Sequence, residues 1–212
     1  MGTHRLKGFT LIELLVAIVV LSIVLTLGVP AFTQFVQTNR MAAGVNDLVA
    51  TMHAARTEAV KRKTLAGANA SVSICASADW NTPAPSCDAA GNFRDGWITF
   101  ADTNGDIVVD AGEQVLAIHG PVARALVLNT LDINGNPVGQ QFFSFGASGF
   151  LRAAPAGQPV GNLQFCDDRG DHDAGGGLAA GRFVLISPTG RPQIFRMRAD
   201  VQNPVLNPIG GC

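Results

Sequence analysis

The residues with chemical potential are few and far apart. Glu13 is the single charge between Phe9 and Val29, in a run of apolar and small uncharged residues. A carboxylate inside a membrane span costs about 2.5–3.5 kcal/mol on insertion scales, so such a group is a functional candidate by default. The four cysteines, Cys75, Cys87, Cys166 and Cys212, contain no C-x-x-C pair, and the four histidines are scattered. That spacing provides poorly for zinc; in an exported chain it points to disulfides. Four cysteines allow three connectivities, and closeness in sequence favours Cys75–Cys87 with Cys166–Cys212. Each bridge would stabilise by about 2–4 kcal/mol.

Two segments are rich in oxygen ligands. Asp102, Asn104, Asp106, Asp110 and Glu113 occupy positions one, three, five, nine and twelve of a calcium-loop pattern. Ile107 stands where that loop requires glycine, and no helical pattern flanks it. A polar hairpin turned by Asn104-Gly105 accounts for the same residues, with calcium at these five as the alternative. Cys166-Asp167-Asp168-Arg169-Gly170-Asp171-His172-Asp173 reads as a solvated loop, with metal ligation as its alternative. No nucleophile elbow, phosphate-binding loop or dinucleotide fingerprint is present. Neither enzymatic activity nor a small-molecule substrate is expected, and no cofactor other than calcium comes into question.

These residues must be carried by very different elements. The chain has 212 residues, 47% apolar and 15% charged, with a formal net charge of −1. That length suits one globular domain plus an extension, and the near-neutral total makes no general case for nucleic acid. Residues 1–8 form a short stretch with Arg5 and Lys7 and no acid. Phe9 to Val29 would then rise about 30 Å as a helix, one bilayer core. The two cations predict that the leader stays cytoplasmic while the chain crosses outward. An ordinary signal peptide cleaved near Ala31 would not carry an acid five residues into its apolar run, and a plain signal anchor leaves Glu13 unexplained.

Gly28 and Pro30 predict a kink or a melted turn. Helical pattern resumes with Met41, Val45, Leu48, Val49, Met52, Ala59 and Val60 on one face, and Lys61-Arg62-Lys63 with Gly67 marks its end. The helix from Phe9 to Lys63 would span about 80 Å. Its stripe suits packing against the β-rich domain that follows. Beyond residue 64 the pattern changes to short runs at 70–76, 96–101, 114–119, 122–128, 141–145, 161–166, 182–187 and 193–197. Turn residues such as Asn134-Gly135-Asn136-Pro137 and Thr189-Gly190 separate them, which predicts an antiparallel sheet. The resulting division is a leader (1–8), a helix with an apolar part (9–29) and an amphipathic part (30–63), and a globular domain (64–212).

Gly8-Phe9-Thr10-Leu11-Ile12-Glu13-Leu14-Leu15-Val16 resembles the processing and methylation motif of type IV pilins and type II secretion pseudopilins. The later blocks are similar, in order, to the GspH/FimT family of minor pseudopilins and minor type IV pilins. They are Cys75, Cys87, Gly96–Asp102, Asp110–Glu113, Phe145-Gly146 with Gly149, Leu163–Cys166, and Phe183–Ser187 with Gly190-Arg191. The resemblance implies an α+β, type IV pilin-like fold, a long N-terminal helix packed on a C-terminal antiparallel sheet domain. It also implies cleavage between Gly8 and Phe9 by the prepilin peptidase and N-methylation of Phe9. The expected product is a structural minor subunit of a type II secretion pseudopilus or type IV pilus, partnered by other pilins. It would sit in a bacterial inner membrane as a single-pass protein with its C-terminal domain in the periplasm.

Glu13 then acquires a physical role. Cleavage would leave a charged amine on Phe9 beside an unpaired carboxylate, and pairing between neighbouring subunits relieves both charges while fixing axial register. Some members with a C-terminal Gly-Arg-x-Arg motif bind DNA. Here Gly190-Arg191-Pro192-Gln193 lacks the second arginine, so a DNA reading would rest on Arg191, Arg196 and Arg198. Arg182 adds to the basic character of the last strands, for which solvated strand ends are the competing account. Without Arg5 and Lys7 the chain has 13 basic against 16 acidic side chains.

Overall fold

The computed structural model describes residues 9–62, 70–123 and 125–212. Gly8 and the rest of the leader, Lys63 and Gly67 lie outside the described residues. The chain divides into two compact units, Met1–Asn39 and Arg40–Cys212.

In the first unit, Phe9 and Thr10 precede a helix, α1, that runs from Leu11 to Lys61. Pro30 does not interrupt it, so the expected melted turn is absent. A proline removes a single donor, and the turns on either side of this one keep their own bonds. The apolar side chains from Phe9 to Val29 are all at least half exposed. Ser22 and Thr26 turn their hydroxyls back onto the carbonyls of Ile18 and Ser22 at 2.8 and 2.6 Å, which satisfies them within the helix. This stretch is long and apolar enough to cross a membrane.

The second unit starts with the remainder of α1, which is buried along one face through Met41, Gly44, Val45, Leu48, Met52, Ala55 and Ala59. Val49 is half-buried at the margin of that face, and Val60 is 47% exposed, outside the expected stripe. One residue past Ala59, Val60 is rotated about 100° around the helix and leaves the packed face.

Among the described residues eight strands follow, all paired antiparallel: β1 (Ser71–Ala76), β2 (Trp97–Asp102), β3 (Val115–His119), β4 (Val127–Asp132), β5 (Phe142–Gly146), β6 (Val160–Cys166), β7 (Leu178–Ile186) and β8 (Pro192–Met197). They form two four-stranded sheets, ordered β3-β2-β1-β5 and β4-β6-β7-β8. A four-residue helix, α2 (Arg198–Val201), follows β8. The expected strand at 122–128 begins only at Val127. Val122 and Leu126 are buried as loop anchors on α1, where a Cβ on Gly44 would lie 3.1 Å from Leu126 Cδ1.

One core joins the helix to both sheets. Met41, Val45, Leu48 and Met52 meet Val72, Ile74, Trp97 and Phe143 of the first sheet, and Leu163, Phe165 and Val184 of the second. Polar contacts fasten the helix at Trp97: its indole donates to Thr51 Oγ1 at 3.3 Å, and its ring stacks on His119 at 3.9 Å. His119 in turn lies 3.5 Å from the Asp47 carboxylate.

The second face of each sheet is closed as well. Cys75, Ile98, Phe100 and Phe142 pack beneath Ile107 with Trp80 and Cys87, and the Cys75–Cys87 disulfide ties that cover down. Ala179 and Phe183 pack beneath Val201 and Leu206, and the tail ends in the Cys166–Cys212 disulfide.

Gly161 shows how tightly the strands approach. A Cβ there would lie 2.8 Å from the backbone nitrogen of Ile133, and backbone cannot yield as a flexible side chain can. Gly161→Ala is expected to lose about 1–3 kcal/mol of stability. Urea unfolding of the detergent-solubilised chain checks this, and an unchanged midpoint would refute it.

Candidate assembly site and neighbouring surfaces

Thr10 lies immediately before α1 and Glu13 in its first turn. The Thr10 hydroxyl accepts from Glu13 N at 3.3 Å, while Glu13 Oε2 accepts from Thr10 N at 3.1 Å and from the Thr10 hydroxyl at 3.0 Å. This is a reciprocal capping box, which satisfies donors that a helix start otherwise leaves open. The carboxylate also sits at the positive end of the helix dipole. Thr10-Leu11-Ile12-Glu13 carries the S/T-x-x-E signature of this device, a signal beyond the insertion cost of the acid. Both Thr10 bonds use Oε2, and Oε1 has no partner among the described residues. The site therefore combines a carboxylate oxygen held by its own helix with one that no described residue engages.

Residues 4–29 around this box match the prokaryotic N-terminal methylation motif. Residues 44–190 match the family described as type II transport protein GspH. The chain belongs to the GspH family. No curated protein and no solved structure matches it. Membership makes it a minor pilin-like subunit of the type II secretion and type IV pilus class, one that assembles with other pilins and is anchored by its apolar helix. The GspH match covers both sheets up to the turn before β8 and ends ahead of Arg191, Arg196, Arg198 and Cys212.

Those three arginines are exposed. Arg191 precedes β8 and Arg198 follows it, so the strand sets them about 20 Å apart. Arg198 also bonds Gln202 at 3.2 Å. Arg182 is not among them, contrary to its reading as a solvated strand end. It is 4% exposed, and its Nη1 donates to the carbonyls of Ala179, Ala180 and Gly181. The β7–β8 register shifts between Leu178 and Phe183, and the guanidinium serves the carbonyls of that irregular stretch. Burial lowers its pKa, with Arg196 and Arg169 acting in the same direction.

In the oxygen-rich loop the five residues are partnered with one another and with backbone. Asn104 donates to Asp106 and to Asp110, each at 2.9 Å, and Glu113 accepts from the amides of Thr103 and Asp110. Among the described residues no three His, Cys, Asp or Glu side chains converge as a metal site. Ile107 takes a left-handed conformation (φ 65°) at the position that a calcium loop gives to glycine, and its burial under the first sheet holds it there. The cluster at 166–173 is likewise used structurally. Asp167 pairs with Arg169 at 2.6 Å, and Asp171 accepts from the backbone nitrogen of Cys212 at 3.0 Å.

Asp102 is the buried member of the loop. It accepts from Gly105 N at 2.6 Å, from Ser73 Oγ at 2.9 Å and from Ile107 N at 3.3 Å. Burial pushes its pKa above the usual carboxylate value, and these donors offset the effect only in part. A carboxyl whose folded pKa is raised stabilises most in acid, and that contribution declines as pH rises through the folded pKa. Asp102→Asn breaks the donor set and is expected to cost about 1–3 kcal/mol. The gap to wild type should be widest in acid and narrow towards neutral pH. Urea midpoints of both proteins from pH 4 to 7 check this; a gap that widens with pH would refute it.

Proposed function

We propose that the chain is a secretion pseudopilus subunit, cleaved between Gly8 and Phe9 by the prepilin peptidase and N-methylated on Phe9. In this reading its globular unit faces the periplasm before the subunit is drawn into the filament. The match to a type II transport family favours the secretion pseudopilus over the type IV pilus. The observation that carries the assembly step is the half-used Glu13 carboxylate, with Oε2 on its own cap and Oε1 without a partner among the described residues.

The amine of Phe9 in one subunit and Glu13 Oε1 of its neighbour would pair within the hydrocarbon layer. Each charge alone is expensive there, so the pair favours the axial offset that brings the two together. The proposal does not extend to DNA, because Arg182 is buried and Arg191 and Arg198 lie at opposite ends of β8.

Glu13→Val is expected to be processed normally, with a mature N-terminus whose mass matches N-methyl-Phe9. Its incorporation into filaments should fall at least tenfold. Incorporation at the wild-type level would sink the pairing, and a mature N-terminus elsewhere would sink the processing site.

A further inference from the structure

The boundary between α1 and the first sheet is not filled along its whole length. A groove of about 630 Å³ opens between the helix and the β3 margin of that sheet, a size typical of ligand sites. Four alanines line it, Ala50, Ala54 and Ala55 on α1 and Ala117 on β3, with Thr51 and Leu116 beside them. Thr99 of β2 also lines it. Thr99 is 3% exposed, and its Oγ1 is the one buried side-chain polar atom without a hydrogen-bond partner among the described residues.

Comparable groups nearby are satisfied. Ser73 and Ser144 of the same sheet bond each other at 3.1 Å, and Thr51 on the helix donates to Asp47 O. At the far end of the groove Arg62 engages Glu58 and Gln114 at 2.8 and 3.1 Å, so the charges there are answered internally. Among the described residues the missing partner belongs to Thr99 alone.

The position of that hydroxyl narrows what could reach it. Thr99 pairs with Ala117 across the ladder, and β3 is the edge strand, with no neighbour on its outer side among the described residues. An edge carries backbone donors and acceptors that template another strand. A strand added there would lie about 10 Å from β2, two strand spacings away. Because residue 117 is alanine, a long side chain from that added strand can cross β3 and arrive at Thr99.

We infer that the groove receives an extended segment of a neighbouring pilin-like subunit, which adds to the β3 edge and sends one long polar side chain across Ala117 to the Thr99 hydroxyl. The inference rests on the filament reading for the identity of the partner. The strand supplies main-chain bonds, the alanines supply the space, and Thr99 supplies selectivity for a polar group over an apolar one.

The test uses the full chain in detergent and overlapping ten-residue synthetic peptides covering the globular domains of the other pilin-like subunits of the same system. Fluorescence anisotropy should find at least one binding peptide. Ala54→Trp, at an exposed position, should weaken it at least tenfold, and Ala50→Trp provides a second block of the same groove. Thr99→Val should weaken binding about tenfold while leaving the thermal midpoint equal or higher, because it removes an unpartnered hydroxyl.

Absence of any binding peptide would overturn the inference, as would binding indifferent to the tryptophan variants. Binding unchanged in Thr99→Val would show that only water meets the hydroxyl, with the same consequence. The Glu13 experiment reads filament incorporation separately. Lost peptide binding with intact incorporation sinks the groove alone, and retained peptide binding supports it whatever Glu13 does.

Discussion

The globular unit depends on one burial constraint. Two four-stranded sheets share a single core beneath one helix face, so every strand in the middle of a sheet has a second face that also needs cover. Each sheet solves this with a loop closed by a disulfide. The Cys75–Cys87 loop and Ile107 cover the first sheet, while α2 and the tail held by Cys166–Cys212 cover the second. These covers hold few apolar side chains, so their burial alone cannot strongly outweigh the entropy of ordering them. Restricting the unfolded chain with a cross-link shifts that balance. The disulfides therefore belong where the apolar payload is smallest, away from the helix-covered core.

The same logic explains the polar residues at those margins. Asp102 holds the Gly105 and Ile107 amides so that Ile107 can be pressed under Phe100 in a backbone conformation unusual for a β-branched residue. Asp79 accepts from Ser77 and from the amide and hydroxyl of Ser86, which organises the loop closed by Cys87. Asn207, fully buried, donates to Gln164 and to the Val201 carbonyl beneath the tail. What reads in the sequence as an acidic, ligand-like composition is used in the structure to fix irregular backbone over a sheet. Backbone that leaves regular structure must find its hydrogen bonds in side chains.

The strands were legible because alternation and turn residues are local signals. Runs near 70–76, 96–101 and 141–145 emerge as β1, β2 and β5 with small shifts at their ends. Val122 and Leu126 misled because two apolar residues four apart in a loop look like a strand until the helix they rest on is in place. Nothing local separates one sheet from two, since strand order is set by pairings distant in sequence. Arg182 looked like surface charge because its partners are backbone carbonyls of a bulge, which has no residue signature. The groove at Thr99 was invisible for a related reason: four alanines and a threonine define a vacancy only once helix and edge strand face each other.

Glu13 shows how two readings of one residue become a single argument. Insertion cost alone says that a carboxylate in an apolar run must have a use, and the capping box supplies one within the monomer. A cap alone would not need a charged group: the capping box accepts glutamine at this position, and glutamine avoids a buried charge. The carboxylate is therefore more than the helix start requires. The amine that the proposed cleavage would leave on Phe9 would remove the excess, because it would turn two separately costly charges into one pair at a place where the helix dipole already favours the anion. Thr10 keeps one carboxylate oxygen on its own helix, and the other has no partner among the described residues. Selectivity in the proposed assembly would then follow from a group that the described residues satisfy only in part.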